Sequence, residues 1–150
     1  MKEASRVQAV IEVLEEVWQD GKPADGILDR YFKERRYIGA KDRRFIADTA
    51  WRIIRNRMKI GEALGGKLTA RLAAALNAGG DDPELIFNGE AYAPTPLTAE
   101  EKKRLAAARA FDDYSDCALN ECPPWLTEKI NNPRLIEVLN DTAPVDVRAN

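Results

Sequence analysis

Val7, Val10, Ile11, Leu14, Val17 and Trp18 recur three and four residues apart, the spacing that gathers side chains onto one face of an α-helix. Ser5 and Gln8 form a capping-box pattern ahead of this run, and Asp20-Gly21 closes it. A second helix is predicted with Pro23 in its first turn and Ile27, Leu28, Tyr31 and Phe32 on one face, ending near Tyr37-Ile38-Gly39. A third runs from about 41 to 59. A fourth carries Leu68, Leu72, Ala75 and Leu76 and ends at Gly79-Gly80.

From 81 to 96 the chain is rich in Pro, Gly, Asn and Asp and reads as a loop, with one helical turn at 83 to 87. Thr98 and Glu101 make a further capping box, which opens a helix through about Arg109 with a thin apolar face. The stretch FDDYSDCALNEC is acidic and irregular. Pro124 then starts a short helix with Trp125, Leu126 and Ile130, and Pro133 starts another with Leu135, Ile136, Val138 and Leu139. In the last segment, APVDVRAN, Val145 and Val147 flank Asp146 as in a strand, with no evident partner. The pattern predicts an all-α protein: a compact helical bundle over 1–141 with an extended segment at 142–150.

A chain of 150 residues, 45% of them hydrophobic, suffices for one domain with a substantial core. It has no apolar run of about 18 residues. Glu3, Glu12, Glu15 and Glu16 fall where a signal peptide needs an unbroken apolar stretch, so a cytoplasmic protein without membrane contact is expected. Two cysteines and no histidine make neither a disulfide framework nor the four ligands of a structural zinc. No metal is expected.

The formal net charge of −2 conceals an uneven distribution. Between 30 and 59 stand eleven Lys or Arg and three acids, Glu34, Asp42 and Asp48, while the rest of the chain is strongly acidic. Taking about 100° per residue, Lys41, Arg44, Arg52, Arg55 and Lys59 form one stripe interrupted by Asp48, with Ile46, Thr49, Ala50, Ile53 and Ile54 roughly opposite. At ~1.5 Å per residue the predicted ridge is about 27 Å long. Arg35 and Arg36, with Lys33, lie just upstream and extend it, whereas Arg43 and Arg57 fall toward the core side, where pairing with an acid or a carbonyl is expected. Charged helix faces are commonly just solvated. Against that reading, this one is mostly arginine, suited to bidentate phosphate contacts, with a single acid for pairing, so contact with a nucleic acid is expected.

Catalytic patterns are absent. Gly65-Gly66 and Gly79-Gly80 lack the strand–loop–helix setting of a phosphate loop, no histidine is available as a base, and Cys122 is followed by Pro123-Pro124 with no group to lower its pKa. Trp18, Trp51 and Trp125 are read as core and domain-contact residues.

SRVQAVIEVLEEVW, GAKDRRFIADTAWRIIRNR, CPPWL and APVDVRAN, in that order, resemble the amino-terminal region of the Sun/Fmu family of bacterial ribosomal-RNA cytosine methyltransferases. The resemblance spans nearly the whole chain, and the first two segments also look like the helical RNA-binding fold of the NusB antitermination factor. It implies a NusB-like domain at 1–141 that positions ribosomal RNA through Lys41-Asp42-Arg43-Arg44 and the arginines after it. Residues 142–150 resemble the opening strand of a methyltransferase part missing from this chain, which therefore reads as a fragment or truncated gene product. S-adenosylmethionine is implied for the full-length enzyme only, and the absent catalytic domain is implied as a partner. The family's two cysteines lie in Pro-Cys and Thr-Cys-Ser contexts; here Cys122 is in Glu-Cys-Pro and Cys117 in Asp-Cys-Ala, so no catalytic residue carries over. Ala40 replaces the small polar residue expected to cap the basic helix. The rival reading is a helical protein-interaction module that uses the acidic flank at 111–121.

Overall fold

A computed structural model describes residues 1–78 and 82–140. The described chain is a helical bundle with nine α-helices and no strand: α1 Glu3–Asp20, α2 Ala24–Glu34, α3 Ala40–Arg55, α4 Arg57–Leu64, α5 Ala70–Ala78, α6 Ala99–Arg109, α7 Asp116–Leu119, α8 Pro124–Ile130 and α9 Pro133–Asn140. A single 3-10 turn, Pro83–Leu85, occupies the predicted loop. The strand-like segment predicted at 142–150 lies outside the described residues. No described helix is long and apolar enough to cross a membrane.

Helix α1 is the centre of the bundle because its apolar stripe is wide enough to be covered on several sides. It packs against α2, α3 and α5, and Val7, Val10, Val13 and Leu14 are fully enclosed. The predicted stop holds, with Gly21 in the left-handed conformation that glycine adopts without steric cost. The predicted Ser5 cap does not. The helix begins at Glu3 with no side-chain cap, and the ammonium of Met1 bonds Asp42 of α3 at 3.0 Å, which anchors the chain upstream of Ser5.

Helix α2 also departs from its predicted length. It ends at Glu34 rather than near Tyr37, because Ile38 is buried and the chain must turn inward to place it. The turn is closed by the Ile38 amide donating to the Arg35 carbonyl at 3.0 Å.

The largest correction concerns the third predicted helix. It is two helices, α3 and α4, that meet at Asn56. The Asn56 side chain donates to the Arg52 carbonyl at 2.8 Å, the local competition with the backbone that makes Asn a weak helix former. The new N-terminus of α4 is then satisfied from far away: the Glu121 carboxylate accepts from the amides of Met58 at 2.9 Å and Lys59 at 2.8 Å. At its other end the Arg104 guanidinium donates to the carbonyls of Leu64, Gly65 and Lys67. Both sets of orphan backbone groups thus find partners on α6 and beyond.

Helix α6 opens with the predicted capping box: Thr98 Oγ1 accepts from the Glu101 amide, and the Glu101 carboxylate accepts from the Thr98 amide. Glu101 also accepts from Arg71 of α5 at 3.0 Å, which is the leading reason its carboxyl is held below the ordinary value. Within the segment predicted to be irregular, Ser115 caps α7 and donates to Glu62, and this hydrogen bond draws the Glu62 carboxyl downward. The short helices α8 and α9 pack on each other, and Trp125, read from the sequence as a core or contact residue, is 60% exposed.

Candidate nucleic-acid interface

Helix α3 is amphipathic in the manner its sequence predicts. Ile46, Thr49, Ala50 and Ile53 are buried at intervals of three, one and three residues, which is the inward stripe of a surface helix. Gly39 precedes the first turn without a side-chain cap, as the absence of Ser or Thr at that end predicts. The opposite face carries Lys41, Arg44, Asp48, Arg52 and Arg55, all exposed. At ~1.5 Å per residue the helix is about 24 Å long.

The three acids of the basic segment have different fates. Glu34 pairs with Arg35 at 3.5 Å. Asp42 turns away from the cationic face to meet the Met1 ammonium and Arg6. Asp48 alone lies on the face. Among the described residues no carboxylate forms an ion pair with Lys41, Arg44, Arg52 or Arg55, so four cations share one side of α3 with a single acid, Asp48, that pairs with none of them.

Two of these cations are oriented by neighbours. Arg52 donates to the Asn77 carbonyl at 3.0 Å, at the C-terminal end of α5, a favourable place for a cation. One such bond leaves most of its five N–H donors available. The Arg55 guanidinium lies 5.8 Å from the Trp51 ring centroid, a cation–π distance that leaves its edge open to an anion.

Three other predicted contributors stand differently. Lys59 is on α4, beyond the break at Asn56, with Nζ 5.0 Å from the Tyr114 ring and its backbone amide on Glu121. It leaves the stripe because the angular count from Lys41 does not survive the break. Arg35 lies over the Tyr31 ring at 3.9 Å and faces Glu12 at 3.7 Å as well as Glu34, so its charge is largely compensated inside the molecule. Arg36 remains exposed, in the connection before α3.

Arg43 and Arg57 were expected to face the core. Arg43 does: its Nε donates to the Ile38 carbonyl at 2.7 Å and Nη2 to the Arg36 carbonyl at 3.5 Å. Arg57 does not. It is exposed, its guanidinium 5.4 Å from the Trp18 ring, because the break re-aims α4.

Sequence reasoning missed Tyr37. It is 77% exposed, next to Arg36 and a few residues from Lys41. The signal was present in RRYIGAKDRR, where an aromatic side chain is interleaved with basic ones. The acidic flank at 111–121 is partly consumed internally: Phe111 and Tyr114 stack edge to face against the core, and Glu121 caps α4, which leaves Asp112, Asp113 and Asp116 exposed. Among the described residues no cluster of His, Cys, Asp and Glu is arranged to hold a metal. Cys122 is buried and Cys117 half-buried, both free thiols. Compared with protein-family models, curated proteins and solved structures, the chain gives no match.

Proposed function

We propose that this chain is an RNA-binding region, of the NusB-like type that precedes the catalytic part of ribosomal-RNA cytosine-C5 methyltransferases, and that α3 is its RNA-facing element. The single observation that carries the reading is the cationic side of α3: Lys41, Arg44, Arg52 and Arg55 exposed along one face, with no carboxylate paired to any of them among the described residues. A merely solvated face alternates signs for i to i+4 pairing; here Asp48 is the single acid among five exposed positions and pairs with none of the cations, and the net positive field of such a face attracts a polyanion. Arg36 adds a further charge at the helix entrance.

Methyl transfer is not assigned to these residues. The described residues include no strand and so no strand–loop–helix crevice for S-adenosylmethionine; this reading assigns the cofactor and the chemistry to the rest of the enzyme it implies. The catalytic domain and ribosomal RNA are the partners it requires, and the cytoplasm is its compartment.

One observation favours a second reading, a protein-interaction module: Trp125, Leu135, Val138 and Leu139 are exposed on α8 and α9, more apolar surface than two short helices ordinarily show to water. The two readings separate by salt. Replacing Arg44, Arg52 and Arg55 together with Gln keeps helix-compatible side chains. It should weaken binding of structured RNA by about fivefold or more per lost phosphate contact and reduce the salt slope by about three charge equivalents. The control Lys67→Gln, Lys102→Gln, Lys103→Gln, away from α3, should do much less. Equal losses in both triple variants would reduce α3 to a solvated face.

A further inference from the structure

A groove of about 1230 Å³ opens on the outer side of α1, walled by the α2–α3 connection and by the loop at 91–95. It is roomy enough for a small planar ligand. Its rim carries Tyr37 and Tyr92, 77% and 85% exposed; its charged lining is Glu12 and Glu15 on α1 together with Lys2, Arg35 and Arg71.

The two tyrosines differ from ordinary exposed side chains in how firmly their backbones are held. The Tyr37 connection is pinned to α3 by the Arg43 guanidinium, which donates to the carbonyls on both sides of it, at Arg36 and Ile38. The Tyr92 turn is closed by the Ala93 amide on the Glu90 carbonyl at 2.8 Å and the Gly89 amide on the Pro94 carbonyl at 3.0 Å. Arg71 then ties the same loop to α5 through Thr95 Oγ1 at 2.9 Å and the Thr95 and Pro96 carbonyls. Tyr92 itself has φ of 64°, the left-handed region at the turn position that favours Gly or Asn. An aromatic residue held there without being buried carries a local cost that folding does not repay.

We infer that this groove takes an unpaired base of single-stranded RNA, stacked on Tyr37 and Tyr92, with the flanking phosphates directed toward Arg36, Lys41 and Arg44. The inference rests on the RNA-binding reading of α3. Continuity supports it: Met1 lines the groove, and its ammonium touches Asp42, the residue after Lys41. Electrostatics fixes which part of a nucleotide enters. The cations that line the groove, Lys2, Arg35 and Arg71, are each paired with a carboxylate of this chain, at Glu90, Glu12 and Glu101; Glu12 is further engaged by the Tyr31 hydroxyl at 2.7 Å and Gln8 at 3.2 Å, whereas Glu15 stands exposed with no ion pair among the described residues. Carboxylates repel a phosphate but accept from the exocyclic amine of a base such as cytosine. The base therefore goes in beside Glu15, and the phosphates stay out along Arg36, Lys41 and Arg44, which are exposed and pair with no carboxylate among the described residues. Fixed aromatic faces beside a basic track are the general solution to single-strand binding.

The test uses hexacytidylate, hexauridylate and a blunt RNA duplex, with binding followed by fluorescence anisotropy on the whole chain. Tyr37→Ala and Tyr92→Gly should each weaken hexacytidylate by roughly tenfold and leave duplex binding within about twofold. Tyr92→Gly relieves the turn, so its melting temperature should be unchanged or raised, which separates lost stacking from lost folding. Hexauridylate, whose base presents a carbonyl where cytosine has its amine, should bind the wild type less tightly than hexacytidylate. If the wild type binds duplex RNA through the three arginines of α3 but neither tyrosine substitution alters hexacytidylate binding, the groove assignment is overturned and the α3 reading survives. Equal affinity for the two hexamers overturns it too. If the wild type binds no RNA of any kind, both readings fall together.

Discussion

Helices α1 and α9 are both amphipathic, yet one is the most deeply buried element of the molecule and the other is mostly wet. In α1, Val7, Val10, Val13 and Leu14 are at 0% exposure, whereas in α9 only Ile136 is buried and Leu139 is 65% exposed. The difference is not in the side chains, since Leu and Val populate both. It is in the opposing layer: α1 has α2, α3 and α5 around it, and α9 has chiefly α8. Apolar periodicity specifies which face of a helix would be buried, and a facing element is what buries it. Stability should follow the same division.

The sharpest way to break the comparison is to truncate an apolar side chain in each region. Ile53→Ala takes three carbons from the enclosed face of α3 against α1 and should lower the unfolding free energy by about 2–5 kcal/mol, read from the urea midpoint. If the midpoint barely moved, the core assigned to α1, α3 and α5 would not be the stabilising one.

An intermediate effect is expected at the seam between α5 and α6, where Arg71 and Glu101 meet at 3.0 Å. Because the folded-state pKa of Glu101 is lowered from an ordinary 4.5, chiefly by that hydrogen bond, its contribution is present at neutral pH and is lost as the pH falls below about 4.5 through the lowered value. Glu101→Gln preserves the capping box but removes the charge. It should lower stability by about 1 kcal/mol at pH 7 and flatten the acid limb of a stability-versus-pH curve. A wild-type acid limb retained in the variant would show that other carboxylates govern it.

The smallest effect belongs to the wet end. Leu139→Ser, on the exposed side of α9, should change the unfolding free energy by no more than about 0.5 kcal/mol. A larger loss would mean that α8 and α9 are covered in solution, which would favour the protein-interaction reading over the one built on α3.

Where the sequence determined this protein, it did so through contacts three or four residues long. The stripe of α1 and its stop at Gly21, the burial of Ile46, Ala50 and Ile53 on α3, the reciprocal bonds of Thr98 and Glu101, and the turn at Pro83–Leu85 are all set by neighbours along the chain. The exposed cations on α3 were legible for the same reason, since the buried stripe fixes the opposite face. What only the tertiary structure decided depends on partners dozens of residues away. Asn56 ends α3 and α4 begins anew because Glu121 reaches its amides across more than sixty residues of chain, and Arg104 holds its far end. That break takes Lys59 out of the stripe, and Glu12 of α1 takes much of the charge of Arg35. Tyr37 and Tyr92 are 55 positions apart and flank one groove only because α1, α2 and the loop tied down by Arg71 converge there. Helical periodicity is a property of adjacent turns and can be counted from the residues. A carboxylate's choice between a distant helix end, a guanidinium and water depends on which groups folding brings within about 3 Å of it, and that distance exists only in the folded chain.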